Sequence, residues 1–385
     1  MGKIKHICFL TANYPTKEDP IFSFVRELIV GIADIGIKCS VISPQSIWVK
    51  RRGDMHSRNL EWEDFSRTGN VIKVYQPVFF SLSKLNKLQF GFNERLRKRK
   101  IKQTFKKIYN SNTETPIDFI YAHFWNEGIT AAELANKYNI RSVVASGESK
   151  IEIKQPILIH YIKKYRDYVG GCICVSQKNR EESLALGLIG DEKIKVIPNA
   201  INPAEFYKED KSELRRKFKY PNDVFIVAFC GYFIDRKGIN RLSEAIEKFD
   251  DVFTIFIGSG QIEPSKKNNL FCGKLPHADL VHYLNCADIF VLPTLAEGCC
   301  NAIIEAMACG LPIVSSDKSF NDDILTDEYS IRIDSNNVQE IIGAISELKN
   351  DTQRRELMAE KAYTASKKFE LANRVQSILS FIEEH

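Results

Sequence analysis

No apolar run in this 385-residue chain is long enough to cross a bilayer. The longest, Val224 to Ile234, falls well short of the roughly 18–20 residues a membrane helix needs. The start, Met1 to Leu10, carries Lys3, Lys5 and His6 before a short apolar strand, so it does not read as a secretory leader. Met1-Gly2 also has His6 where a myristoylation site wants Ser or Thr. The ten cysteines form no C-x-x-C pair and none lies near paired histidines at metal spacing, which sets aside a zinc or dithiol motif. Cys8, Cys39, Cys230 and Cys286 sit inside apolar runs, as reduced buried thiols of a cytoplasmic protein would. No nucleic-acid motif is present either.

What is present is a soluble composition, 44% hydrophobic and 27% charged, on a chain long enough for two or three domains. Charge is uneven. Residues 1–175 hold 28 Lys+Arg and 16 Asp+Glu, or +12, and the remainder holds 26 and 33, or −7. That asymmetry predicts two domains with different partners and argues against a nucleic-acid surface. Strand and helix patterns alternate: strands at Ile4–Leu10, Lys38–Ser43, Phe119–His123, Ser142–Ala145 and Cys172–Val175, with helices at Phe22–Ile35 and Ile129–Tyr138. A second series follows, with strands at Phe225–Cys230, Phe253–Ile257, Ile289–Leu292 and Ile313–Ser315 and helices at Ile239–Phe249, Leu280–Cys286 and Asn301–Cys309. Such alternation predicts parallel sheets covered by helices on both faces. A Pro- and Asn-rich connector, Val196 to Pro203, separates the series, and one helix is predicted from about Gln353 to Ile382. The densest basic stretch runs from Arg95 to Tyr109, with Leu96, Ile101, Phe105 and Ile108 at roughly helical spacing. It admits two readings: a basic amphipathic helix on an anionic membrane surface, or a solvated helix packed by its apolar stripe.

The chemistry concentrates between Pro293 and Pro312. Glu297 and Glu305 lie eight residues apart, with Gly298, Cys299, Cys300 and Asn301 following the first. An apolar strand leads in and a helical run leads out. The free N–H groups and positive dipole end of that helix suit a phosphate. Carboxylates beside a phosphate repel it, so Glu297 and Glu305 are better suited to accept hydrogen bonds from sugar or ribose hydroxyls. The whole segment resembles the E-x7-E signature of the retaining glycosyltransferases of family 4, with its proline, glycine, asparagine and Ala-Met-Ala context in register. The segment Gly231-Tyr232-Phe233-Ile234-Asp235-Arg236-Lys237-Gly238 is similar to the same family's G-R-L-x-x-x-K-G run. Lys237 matches its phosphate-binding lysine, and Tyr232 stands where an arginine is common. Arg236 can supply that planar two-point contact instead. Ile197-Pro198-Asn199-Ala200 resembles the family's hinge, with Ala200 for glycine, and Phe271 to His277 resembles its base-side loop. The resemblance implies that main-chain groups near Lys274 and Leu275 meet the base. His277 and His282 are expected at the surface.

In the first half the resemblance continues through Ala12 to Phe22, which includes Tyr14 but lacks the usual Gly-Gly pair, and through Tyr121 to Trp125. His123 at that strand end would contact a sugar; a structural histidine is the equal alternative. Val143 to Ser149 aligns with the family's T-x-H-G-x-D segment, with Ser146 in place of its histidine. Serine cannot relay a proton as imidazole does, so Glu148 or His123 would have to take that part, or the departing phosphate oxygen would.

The resemblance implies a GT-B, α/β architecture: two Rossmann-like domains facing a central cleft, residues 1–195 on the acceptor side and 196–366 on the donor side, with a C-terminal helix of about 367–385 crossing back to the first. It implies a retaining hexosyltransferase that moves a hexose or N-acetylhexosamine from a nucleoside diphosphate sugar, a UDP-sugar in preference to a GDP-sugar, to a hydroxyl acceptor. Glu297, Lys237, Arg236 and His123 would be catalytic. Glu305, Gly298, Cys299, Cys300, Asn301, Lys274 and Leu275 would bind the donor, and Tyr14, Ser146 and Glu148 would lie on the acceptor side. Domain closure would exclude water. No metal or separate cofactor is implied, since no Asp-x-Asp lies near these segments. The family type and the basic first half point to a lipid-linked saccharide acceptor in bacterial surface polysaccharide (capsule or exopolysaccharide) synthesis. The protein would then work in the cytoplasm, peripherally at the inner membrane face through Arg95 to Lys107. Two other readings stand: a degenerate sugar-nucleotide-binding scaffold for a partner transferase, motivated by Ser146 and Tyr232, and a sugar-nucleotide 2-epimerase.

Overall fold

A computed structural model describes residues 4–16, 22–47, 60–81, 87–111, 114–151 and 164–384. Lys17 to Ile21 of the expected acceptor loop, and the Met1-Gly2 start, lie outside these residues. Contacts divide the chain into two units, one of Met1–Val175, Asn179–Ile197 and Val375–His385 and one of Ser176–Lys178 and Pro198–Arg374.

The first unit contains strands β1 (His6–Leu10), β2 (Lys38–Ile42), β3 (Gln45–Ser46), β4 (Leu60–Phe65), β5 (Val71–Gln76), β6 (Val78–Phe79), β7 (Phe119–His123), β8 (Arg141–Ser146), β9 (Gly171–Cys174) and β10 (Ile194–Val196). Its large sheet runs β10-β9-β8-β7-β1-β2-β5-β4, and β3 pairs with β6 separately. Neighbours in the large sheet are parallel except β4 against β5. All five residues of β1 and of β7 are buried. A central parallel strand is covered on both faces and so reads as an unbroken apolar run. The edge strand β4, LEWEDF, instead alternates half-buried and exposed positions, with Glu61 and Glu63 facing outward and Asp64 inward.

The second unit contains β11 (Phe225–Cys230), β12 (Val252–Ile257), β13 (Asn269–Gly273), β14 (Ile289–Leu292), β15 (Ile313–Ser316) and β16 (Ser330–Ile333). They form a parallel sheet in the order β13-β12-β11-β14-β15-β16. In chain order this is 3-2-1-4-5-6, the dinucleotide-fold arrangement. Its order reverses between β11 and β14, and ligands of such sheets bind outside the strand C-termini at that reversal. Side chains of both faces form one core around Phe229, Phe256, Phe290, Ile303 and Met307.

Three expectations need correction. The helix expected from Gln353 to Ile382 is two helices, Thr352–Ser366 and Leu371–Glu384. Between them Glu370 is extended, because Ile201 inserts its main chain there: its N–H donates to the Phe369 carbonyl at 2.8 Å and its carbonyl accepts from Leu371 N–H at 2.9 Å. The helix of the fourth crossover begins a turn earlier than expected, at Trp125. The basic stretch belongs to a longer helix, Lys87–Ser111. Ile101, Phe105 and Ile108 are fully buried against the first sheet's core, so that apolar stripe is packing surface. The place expected for Leu96 at its head is taken by Arg97, which is buried. Among the described residues no helix is long and apolar enough to cross a membrane.

Candidate donor and acceptor sites

The loops that leave β11 and β14 are the two that flank the reversal point of the second sheet. The first, Gly231 to Gly238, closes with a 3-10 turn, Asp235–Lys237, and Gly238 at φ +78°. A side chain at Gly238 would put its Cβ 2.2 Å from the Pro293 carbonyl oxygen. Glycine is required there both for the left-handed backbone and for the close approach of the second loop. The second loop is then stitched to the first. Leu295 N–H donates to the Arg236 carbonyl at 2.7 Å. Thr294 Oγ1 lies 3.1 Å from the same carbonyl, Arg241 Nη2 donates to the Pro293 carbonyl at 3.2 Å, and Arg236 Nη1 donates to the Ala296 carbonyl.

This stitching brings three of the sequence-derived residues together. Glu297 Oε1 lies 2.6 Å from Lys237 Nζ and 3.3 Å from Arg236 Nη1, and it accepts from Thr294 Oγ1 at 2.7 Å. The Lys237 and Glu297 side chains are only 13% and 10% exposed. Burial works against the charge on Lys237, but the Glu297 carboxylate attracts it and accepts its hydrogen bond; the net shift of its pKa is upward, and the ammonium persists at neutral pH. Thr294 was not recognised from the sequence. Its hydroxyl anchors both Arg236 and Glu297, and a threonine directly after the Pro that ends a buried strand is the signal that marks it.

Glu297 and Gly298 are buried, Cys299 is half-buried and Cys300 is 2% exposed. These residues lead into the helix Asn301–Ala308, whose start has no side-chain cap. The Ile303 N–H donates to the Cys300 carbonyl at 3.2 Å, and the N–H groups of Asn301 and Ala302 keep the donor capacity that suits an anion. Burial pushes the Cys299 thiol up to about 11 and the Cys300 thiol up to about 12. Both stay protonated at neutral pH, and neither is a nucleophile. Glu305, buried in the next turn, lies 3.3 Å from His277 Nε2, while His277 Nδ1 is 3.7 Å from Glu205 and its ring meets the edge of Phe206. His277 is exposed, as expected, and from the surface it reaches two carboxylates, one of them a candidate site residue. His282 likewise contacts Glu209, at 2.6 Å. Lys274 is exposed and Leu275 half-buried in the loop directly after β13. Among the described residues no group of three or more His, Cys, Asp or Glu side chains could hold a metal ion.

His123, Tyr14, Ser146 and Glu148 belong to the first unit. His123, at the end of β7, is buried with ring contacts to Phe24 and Tyr121. The next residue, Phe124, has φ 71° and ψ 156°, a region that costs a non-glycine residue about 1–3 kcal/mol. Tyr14 is buried, with its hydroxyl donating to Asp64 Oδ2 at 2.8 Å beside the Arg26–Asp64 pair at 2.7 Å. Ser146 Oγ donates to Glu148 Oε2 at 2.8 Å, as does Gly147 N–H at 2.9 Å, and Trp125 N–H donates to Glu148 Oε1 at 2.9 Å. Glu148 thus occupies the start of the helix Trp125–Tyr138. Burial raises its pKa against these donors. A pocket of about 430 Å³ at this end of the sheet is lined by Phe79, Arg97, Phe124, Glu127, Glu148 and Lys150, among others. Arg97 pairs there with Glu94 at 2.8 Å and with Glu127. Sequence reasoning missed this pair, although Arg97 stands four residues before Ile101 and so on the inward face.

Two α/β units with these strand orders define the GT-B fold. Residues 210–365, all in the second unit, match the family model for glycosyl transferases group 1. Over 325 residues the chain is 27% identical to a Bacillus subtilis protein named for teichuronic acid biosynthesis, the glycosyltransferase TuaC, covering 81% of this chain and 80% of the relative. It is 26% identical over 202 residues to the capsular polysaccharide biosynthesis glycosyltransferase CapM of Staphylococcus aureus, covering 48% and 53%. Among solved structures, sucrose-phosphate synthase from Thermosynechococcus elongatus superposes with a TM-score of 0.78 at 16% identity, covering 99% of this chain and 98% of that one. Anabaena HepE in complex with UDP gives 0.73 at 16% identity, covering 99% and 100%.

Proposed function

We propose that the protein is a retaining glycosyltransferase that moves a hexose or N-acetylhexosamine from a nucleoside diphosphate sugar, UDP-sugars in preference to GDP-sugars, to a hydroxyl acceptor. The observation that carries this reading is the buried Lys237–Glu297 pair, with Arg236, directly before an uncapped helix start at the reversal point of the second sheet. Lys237, Arg236 and the main-chain N–H groups of Gly298 to Asn301 would hold the diphosphate and stabilise it as the bond from its oxygen to the sugar C1 breaks. Glu297 would accept from donor-sugar hydroxyls and Glu305, steadied by His277, from the ribose. The departing phosphate oxygen, or Glu148, would take the acceptor proton as its oxygen bonds to C1. His123 and Ser146 would lie beside that acceptor. The two cations supply the charge that a divalent ion would otherwise bring, so turnover should survive EDTA.

The relatives named for teichuronic acid and capsular polysaccharide support a saccharide acceptor in bacterial surface polysaccharide synthesis. The helix Lys87–Ser111 supports work at the inner membrane face, because Arg95, Arg99, Lys106 and Lys107 remain exposed after its apolar stripe is packed. The first test is a donor screen. Purified protein is incubated with UDP-, GDP- and ADP-sugars, with and without membrane extract, and released nucleoside diphosphate is measured. Release with one donor, abolished in Lys237→Ala and Glu305→Ala, supports the transferase. Nucleotide binding without turnover under every condition would leave the scaffold reading.

A further inference from the structure

Apart from the short excursion Ser176–Lys178, the chain leaves the first unit after Ile197 and returns to it at Val375. Inside the second unit the segments next to these two points are tied together. Ile201 bridges to Glu370 in parallel fashion through the two main-chain hydrogen bonds described above. Arg374 Nη1 donates to the Pro198 carbonyl at 2.5 Å and to Asn199 Oδ1 at 2.6 Å. The same Asn199 amide donates through Nδ2 to Asn301 Oδ1 at 2.8 Å. Asn199 and Arg374 are each 8% exposed. A buried amide satisfied at both ends cannot turn without orphaning a partner, so the chain Arg374–Asn199–Asn301 moves as one piece. Asn301 is the first residue of the helix whose N-terminus faces the proposed diphosphate.

We propose that Asn199 and Arg374 are positioning residues of the donor site. They fix the first turn of the helix Asn301–Ala308 from the segments just after Ile197 and just before Val375, so that a diphosphate bound at that turn tightens both crossing segments. The coupling is reciprocal: whatever orders the crossing segments raises nucleotide affinity by the same factor. This inference rests on the donor-site reading above.

The test is hydrogen–deuterium exchange on the full chain with UDP, GDP and ADP as probes. In the parent protein the bound nucleotide should slow exchange at 298–306 and also at 198–202 and 369–375. Asn199→Ala should keep the first response, lose the other two and weaken nucleotide binding about fivefold, the worth of one buried hydrogen bond. Asn199→Asp should restore them, because the Asn301 amide can turn its Nδ2 toward the new carboxylate while Arg374 keeps its acceptor. If Asn199→Ala does not fold, Arg374→Met serves, with the response at 369–375 lost and that at 198–202 kept. Protection at 298–306 with no response at the crossing segments of the parent protein would overturn the inference while leaving the donor site standing, as would an unaltered response in Asn199→Ala. No protection at 298–306 by any nucleotide would overturn the donor-site reading and this inference with it.

Discussion

Glu297 and a diphosphate would compete for one cation, and this gives a prediction of unusual sign. At 2.6 Å the Lys237–Glu297 attraction is about 6 kcal/mol before desolvation, with an effective dielectric of about 20. The net worth of such a charge-assisted contact is nearer 1.5–3 kcal/mol. Glu297→Gln keeps the shape and an accepting oxygen but removes the charge. The Lys237 ammonium is then freer for a ligand, and a carboxylate that repels phosphate is gone. Both effects have the same sign, so UDP should bind roughly tenfold more tightly, about 1.4 kcal/mol. UDP carries no sugar and so does not report the hydroxyl contacts proposed for Glu297; transfer from the intact donor should fall by about 10²-fold or more. The apo variant should also melt at a lower temperature, since a buried ammonium loses its charge partner. Isothermal titration with UDP, with GDP and ADP alongside, and thermal melts with and without nucleotide measure all three. Weaker or unchanged UDP binding in Glu297→Gln would refute the competition and with it the placement of the diphosphate beside Lys237.

Gly238→Ala should abolish transfer while leaving most helical circular dichroism, because a Cβ 2.2 Å from the Pro293 oxygen forces the two site loops apart. An active variant would show that the loops need not touch. His277→Ala should raise the donor KM several-fold with kcat nearly unchanged, since it steadies a contact made equally in ground and transition states; a fall confined to kcat would contradict that role. Asp288, half-buried between Lys211 and Arg215 at 2.8 Å each and accepting from Ile226 N–H at 2.7 Å, should cost about 3 kcal/mol as Asp288→Asn. Burial raises the Asp288 pKa, but the two cations and the amide more than offset it, and the net shift is downward. Its stabilisation is therefore present above the ordinary aspartate range and lost as pH falls through that range toward the depressed native value. Urea denaturation should show the gap between parent and variant closing below about pH 4, and a gap independent of pH would rule the ion pairs out as its source.

How much of this was legible in the sequence depends on which force fixes each feature. Strands such as Ile289–Leu292 and Phe225–Cys230 were read to the residue, because a strand buried on both faces has to be continuously apolar and the pattern has no competitor. The edge pair Leu60–Phe65 and Val71–Gln76 went unread. Its alternation mixes Glu, Asp and Lys with Trp and Tyr, and the strand signal is weak without knowledge of which face is covered. The break at Lys367–Glu370 was invisible for another reason. Nothing local ends that helix; Ile201, well over a hundred residues away, supplies the competing hydrogen bonds.

The same division runs through the proposed sites. The meeting of Lys237 and Glu297 was legible because each lies in a turn that follows a buried strand beside the sheet's reversal point, where such turns converge. The groups that orient them were not. His277 reaches Glu305 from across 28 residues and Asn199 reaches Asn301 from across 102, and a surface-type sequence context says nothing about which carboxylate or amide a side chain will find. Ser146 shows the converse. Set against the family pattern it reads as a loss, a serine where imidazole is usual. In the fold it is one of three donors converging on Glu148, a half-buried carboxyl, just past the end of a parallel strand, whose pKa is raised by its partial burial. The position has therefore not simply gone blank. A titratable group is held within hydrogen-bond reach of it, as the proposed transfer of the acceptor proton to Glu148 would need.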